Sequence, residues 1–231
     1  MELFDEMIRR IEDSLSGLPC ETATYEPDSV LEESDSFAMV FQNDTVAELG
    51  STDRQAVNLT CVTSDESLIS GDSIRLIGSD IDGIKQKSDY ARICQVLVRD
   101  EDSGAHKLLQ DMDFIKFHIY PKDIMIRTSG QSPAERIRIS KRAAESGFSL
   151  KKLGQTYISH YKNDPRVLAV CVTFVTAENY DYAALEKEAK LCVSVRNSLS
   201  LIQKGLPKDC DKCTISDICG EIEGLKKIHF G

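Results

Sequence analysis

The sequence predicts an α/β fold, a mixed sheet with flanking helices, and three observations carry that expectation. Residues 167–175 (Val-Leu-Ala-Val-Cys-Val-Thr-Phe-Val) form a nearly continuous apolar run of strand length, as in a strand covered on both faces. Within residues 114–139, apolar and polar positions alternate with the two-residue period of half-buried strands. Residues 150–161 and about 178–203 space their apolar side chains by three and four, the helical period.

The elements follow in order. Residues 2–16 place Leu3, Phe4, Met7, Ile8, Ile11 and Leu15 on one helix face, and Gly17 supplies a stop. Residues 26–36 are polar and acidic and read as a connection. Residues 37–41, 57–62 and 72–77 read as strands. The Gly-Ser-Asp-Ile-Asp-Gly stretch at 78–83 reads as a turn whose aspartates cap backbone N–H groups; its spacing and the missing distal Glu do not make a calcium loop. Residues 92–99 read as a strand and about 102–112 as a short helix. Residues 114–119, 124–127 and 137–139 read as strands whose exposed phase is basic. Ser140 and Ser149 stand where two successive helices need N-caps, with Gly147 between them. Gly205 and Pro207 end the last helix. The expected organisation is an N-terminal helix and acidic connection (1–36), one α/β domain (37–205) and a cysteine-bearing tail (206–231).

Apolar residues make up 41% and charged residues 29% of the 231 positions, ordinary values for a globular protein with a sizeable core. No apolar run has the length of a membrane span, and the acidic N-terminus has no basic signal-peptide region, so a cytoplasmic protein is expected. Residues 1–112 carry 24 acids and 9 bases, whereas residues 113–231 carry 14 acids and 19 bases. A net charge of −10 does not suit a nucleic-acid binder; a basic face confined to the second half does suit this distribution.

Five of the eight cysteines (Cys20, Cys61, Cys94, Cys171, Cys192) are scattered, as small buried hydrophobes usually are. The other three lie within ten residues as Cys-x2-Cys-x5-Cys: Cys210, Cys213 and Cys219. Thiolates so spaced can converge on one soft metal or cluster, and in a reducing compartment they bind metal more readily than they form disulfides. By count alone, zinc completed by His229 and an iron–sulfur cluster with a fourth ligand from Cys192, another cysteine, a partner or a small molecule fit equally well. None of the four histidines pairs with Ser, Cys or Asp at a hydrolase spacing.

The runs Ile77-Gly-Ser-Asp-Ile-Asp82 and Arg138-Ile-Ser-Lys-Arg-Ala-Ala-Glu-Ser-Gly-Phe-Ser-Leu-Lys-Lys-Leu-Gly154, followed by Phe174-Val-Thr176 and an acidic helix start, resemble acetyl-CoA synthase. That enzyme is the β subunit of the carbon monoxide dehydrogenase/acetyl-CoA synthase complex, and the likeness is to its middle domain, over about residues 47–190. The matching runs are framework motifs. In that family the next domain holds a nickel–iron–sulfur A-cluster on Cys-x2-Cys-x8-Cys, a further cysteine and a Cys-Gly-Cys pair. Here the spacing is x5 and no Cys-Gly-Cys occurs, so complete synthase activity is not expected of this chain alone.

The resemblance favours an iron–sulfur cluster, 4Fe–4S in kind, over zinc on Cys210, Cys213 and Cys219, with Cys192 as a candidate fourth ligand. It implies work in anaerobic one-carbon metabolism as an accessory or electron-transfer protein beside a corrinoid protein, methyltransferase or carbon monoxide dehydrogenase. Whether the chain is an enzyme, and whether it self-associates, is left open. The family's middle domain is thought to offer arginines to coenzyme A. Arg127, Arg136, Arg138, Lys141 and Arg142 are the candidates, since guanidinium forks match phosphate oxygens. The alternative is a solvated face balancing the acidic first half. Two further functions remain open: part of a split enzyme that binds coenzyme A or a corrinoid protein, and a zinc-stapled interaction module.

Overall fold

The computed structural model describes residues 3–99 and 105–203, which form an α/β arrangement of two mixed sheets with flanking helices. The chain runs α1 (Asp5–Leu15), β1 (Glu21–Thr24), β2 (Thr45–Leu49), β3 (Ala56–Thr63), β4 (Ser73–Ile77), β5 (Gln86–Ser88) and β6 (Tyr90–Val98). It continues with α2 (Ala105–Ile115), β7 (Ile124–Thr128), β8 (Glu135–Ser140), α3 (Lys141–Glu145), α4 (Leu150–Lys162), β9 (Val167–Val175) and α5 (Tyr182–Gln203). The larger sheet has the order β1-β4-β9-β6-β3 and the smaller one β5-β2-β8-β7.

The central strands β6 and β9 pair antiparallel from Ala91 opposite Val175 to Val98 opposite Val167. Both are buried almost throughout because helices cover both faces of the larger sheet, which is why β9 reads as an unbroken apolar run. On one face α4 lies so close that Gly154 meets Ile74 of β4 and Phe174 of β9. On the other, α1 buries Met7, Ile8, Ile11 and Leu15 and turns Glu6, Arg9, Arg10 and Asp13 outward. Burying each such side chain stabilises the fold by about 1.5–3 kcal/mol. Glu12 on α1 accepts from both Arg75 amino groups at 2.7 and 2.6 Å, which ties the helix to β4. Gly17 ends α1 with φ +80°.

The two expected N-caps form: Ser140 accepts from the Ala143 N–H and Ser149 from the Lys152 N–H. Asp80 also behaves as expected, and it reaches further than its own turn. Its Oδ1 accepts from Ile81 N at 2.7 Å and from Leu150 N at 2.9 Å, joining the 77–82 run to the start of α4.

Two expected strands do not form. Residues 37–41 are an apolar run of strand length but make no ladder; β2, a few residues later, takes the place beside β8, and Phe37, Met39 and Phe41 are left exposed. Residues 114–119 are the end of α2 and the turn after it, so their apparent alternation comes from a helix terminus. The short strands β1, β2 and β5 are additions to the sequence reading; none has a long alternating run to announce it.

Candidate functional site

The sheets meet at a buried charged centre. Arg92, the third residue of β6, has no solvent exposure, and Glu135 at the start of β8 is equally enclosed. The Arg92 Nε donates to Glu135 Oε1 at 2.8 Å and Nη2 donates to Oε2, while Nη1 lies 3.1 Å from Cys94 Sγ. The guanidinium sits 4.3 Å from the centre of the Tyr157 ring. Thr128 and Tyr90 also donate to the carboxylate, at 2.8 and 3.3 Å. Burial alone would raise the Glu135 pKa, but the Arg92 charge and the hydrogen bonds from Arg92 and Thr128 outweigh it and hold the carboxyl below its ordinary range. Burial pushes the Tyr90 and Tyr157 phenols well up. Sealed from solvent, this centre fixes one sheet against the other and meets no substrate.

A groove of about 440 Å³ opens between the 28–32 segment, β7 and α3. Three cations line it, and each is already engaged: Arg142 with Asp123 at 3.3 Å, Lys122 with Glu32 at 2.6 Å, and Lys152 with the Gly147 carbonyl at 2.7 Å. A phosphate group entering here would compete with two carboxylates and a backbone carbonyl for its partners.

The remaining predicted arginines lie on the outer face of the smaller sheet. Arg127 on β7 stands opposite Arg136 on β8, and Arg138 follows on the same face, because strand residues two apart share a side. Glu48 on β2 lies opposite Arg138 and accepts from it at 2.9 Å; it is 3.7 Å from Arg136. Arg136 also donates to the Gly50 carbonyl at 3.2 Å. No carboxylate among the described residues pairs with Arg127. Its guanidinium lies 5.9 Å from the Phe37 ring centre and 3.6 Å from Met39 Sδ. Exposed Phe37, Met39 and Phe41 continue the surface, Phe41 with 69% of its area open.

The five basic candidates therefore do not share one pocket. Arg127, Arg136 and Arg138 form the outer face, Arg142 turns into the groove, and Lys141 is exposed on α3. Sequence reasoning missed Glu48 as the neutralising partner. Its only signal is one acid between Ala47 and Leu49 in a strand of five residues.

Cys210, Cys213 and Cys219 lie outside the described residues. Cys192 lies within them on α5 and is nearly buried, with its sulfur 3.0 Å from Met7 Sδ and 3.7 Å from Cys61 Sγ. Among the described residues no group of three or more His, Cys, Asp or Glu side chains is placed to hold a metal. His118 Nδ1 is 3.0 Å from the Phe114 carbonyl, and His160 bonds Glu33 at 2.7 Å. No helix among the described residues is long and apolar enough to cross a membrane.

The family model of the CO dehydrogenase/acetyl-CoA synthase complex beta subunit matches residues 36–180, a stretch that holds the outer arginine face and the Arg92–Glu135 centre and all of the groove except its 28–32 wall. No curated protein matches the sequence.

Proposed function

The chain belongs to the CO dehydrogenase/acetyl-CoA synthase complex beta subunit family, and on that footing we propose that it is an accessory, electron-carrying member of such a system. The family ties it to CO dehydrogenase/acetyl-CoA synthase systems and so to protein partners. In this reading Cys210, Cys213 and Cys219 hold an iron–sulfur cluster, which supplies one-electron transfer when bound. Three thiols in a Cys-x2-Cys-x5-Cys array fit such a group by donor type. Recruiting Cys192 as the fourth ligand would mean pulling its sulfur away from Met7 and Cys61, which favours a ligand brought by a partner or a small molecule.

The observation that carries the partner half is the outer face of the smaller sheet. It combines exposed Phe37, Met39 and Phe41 with Arg127, which no carboxylate among the described residues pairs, the aromatic, methionine and arginine composition enriched at interfaces. The partner expected there is a protein with an acidic rim: a corrinoid protein, a methyltransferase or carbon monoxide dehydrogenase. Immobilised chain should retain at least one of these three purified proteins. The Arg127→Glu and Met39→Asp substitutions together should weaken that retention at least tenfold. Retention of none of the three, or retention indifferent to both substitutions, would refute docking through this face.

A second reading, a subunit that offers a coenzyme A surface to a split active site, is favoured by the groove containing Lys122, Arg142 and Lys152. Calorimetric titration with coenzyme A, repeated on the Arg142→Ala protein, decides it. No heat from either protein removes this reading.

A further inference from the structure

We propose that Met7, Cys61 and Cys192 form a second, sulfur-only site that takes one soft monovalent cation of the copper(I) class. The three side chains come from α1, β3 and α5 and converge in the core. Their sulfurs stand 3.7 Å (Cys61–Cys192), 3.8 Å (Cys61–Met7) and 3.0 Å (Cys192–Met7) apart. A metal centred between three sulfurs with bonds of about 2.3 Å needs sulfur–sulfur edges of about 4 Å. Two edges are already near that value. The third opens by about 1 Å, a change that the three rotatable bonds of Met7 can absorb.

The donor chemistry selects the cation. Two thiols and a thioether are soft ligands, which suit copper(I) and poorly suit calcium, magnesium or manganese. Zinc favours four-coordinate sites, and no cluster of His, Cys, Asp or Glu among the described residues supplies the remaining donors. A cavity of about 30 Å³, room for about two waters, borders Cys192 together with Phe4, Leu59 and Val193. Binding converts two thiols to thiolates, so two protons leave to solvent for each cation bound, and no electron is transferred. The charge left behind, one cation against two thiolates, lies near Arg10 on the next turn of α1, whose guanidinium is paired with Glu188 at 2.8 and 3.0 Å. The bound cation would clamp α1, β3 and α5 together at the start of the path from α5 to the cysteine tail.

The test uses the full chain with Cys210→Ser, Cys213→Ser and Cys219→Ser, so that tail thiols do not compete, reduced and kept anaerobic. Copper(I) is titrated in competition with bicinchoninate. The expected result is one tightly held copper(I) per chain, about two protons released, and an X-ray absorption signal of three sulfur neighbours at about 2.3 Å. Adding Met7→Leu, which keeps the volume, should lower affinity about tenfold and leave two sulfurs. Adding Cys192→Ala should abolish binding, and Cys20→Ser should change nothing. Copper binding unchanged by Met7→Leu and Cys192→Ala, or a parent that fails to compete with bicinchoninate, overturns the proposal. The tail substitutions also keep this outcome separate from the iron–sulfur reading.

Discussion

Replacing Glu135 with Gln keeps the shape of the side chain and removes the charge that compensates Arg92. In the folded protein that carboxylate accepts from Arg92 Nε and Nη2, from Thr128 Oγ1 and from Tyr90 OH, and neither charged partner has solvent exposure. The amide of Gln turns one accepting oxygen into a donor that faces other donors, and the guanidinium is left buried without a counter-charge. Breaking a buried pair in this way costs about 3–5 kcal/mol, and each stranded polar group costs about 1–3 kcal/mol. The expected loss is about 3–5 kcal/mol, or about 10 °C in Tm for a domain of this size. The chain has no tryptophan, so far-UV circular dichroism during urea unfolding is the suitable probe. The double replacement Arg92→Met with Glu135→Leu removes both charges and should be much less damaging than the single one. Acidification supplies a second readout. Glu135 has a folded pKa below its unfolded value of about 4.3, so its contribution is present above that pH and fades as pH falls through the folded pKa. The Glu135→Gln protein should lack that part of the acid-side loss. A single-substitution cost under about 1 kcal/mol would refute the claim that this pair is sealed and mutually dependent.

Two further substitutions test the packing that positions the site. Gly154→Ala places a Cβ 2.7 and 2.8 Å from Ile74 and 3.2 Å from Phe174, so overpacking of about 1–3 kcal/mol should exceed the roughly 1 kcal/mol gained in helix propensity. Thermal unfolding should show a lower Tm, and a rise would mean that α4 does not lie this close to the sheet. Ser149→Ala removes the acceptor for the Lys152 N–H and should lower the urea-unfolding free energy by about 1 kcal/mol, with Ser149→Asp restoring most of it. If the alanine protein is as stable as the parent, the cap is not holding the first turn of α4.

Much of the framework was legible because its signals are long or chemically specific. The unbroken apolar run of β9, the helical spacing in α1 and α4, and both serine caps depend on local patterns that tertiary contacts did not override. The failures fall where a short pattern has two readings. Residues 37–41 are an apolar run of strand length, yet the place beside β8 is taken by β2, whose five residues include an ion-pairing glutamate. The basic face was visible as composition, but its partition was not. Glu48 and Asp123 reach Arg138 and Arg142 from other elements, so which cations stay unpaired depends on sheet register. The Arg92–Glu135 centre was invisible for the same reason, since 43 residues separate its halves. The cysteine trio is legible only in sequence, because it lies outside the described residues.

Anaerobic metal and sulfide analysis of the purified chain and its Cys210→Ser variant shows whether the tail thiols carry a cluster, as an electron-carrying accessory subunit requires. The expected result is a brown protein with about four irons and matching sulfide per chain, bleached by dithionite, and a variant that has lost most of that iron. A colourless parent with one zinc per chain, or a variant that keeps all its iron, would contradict it.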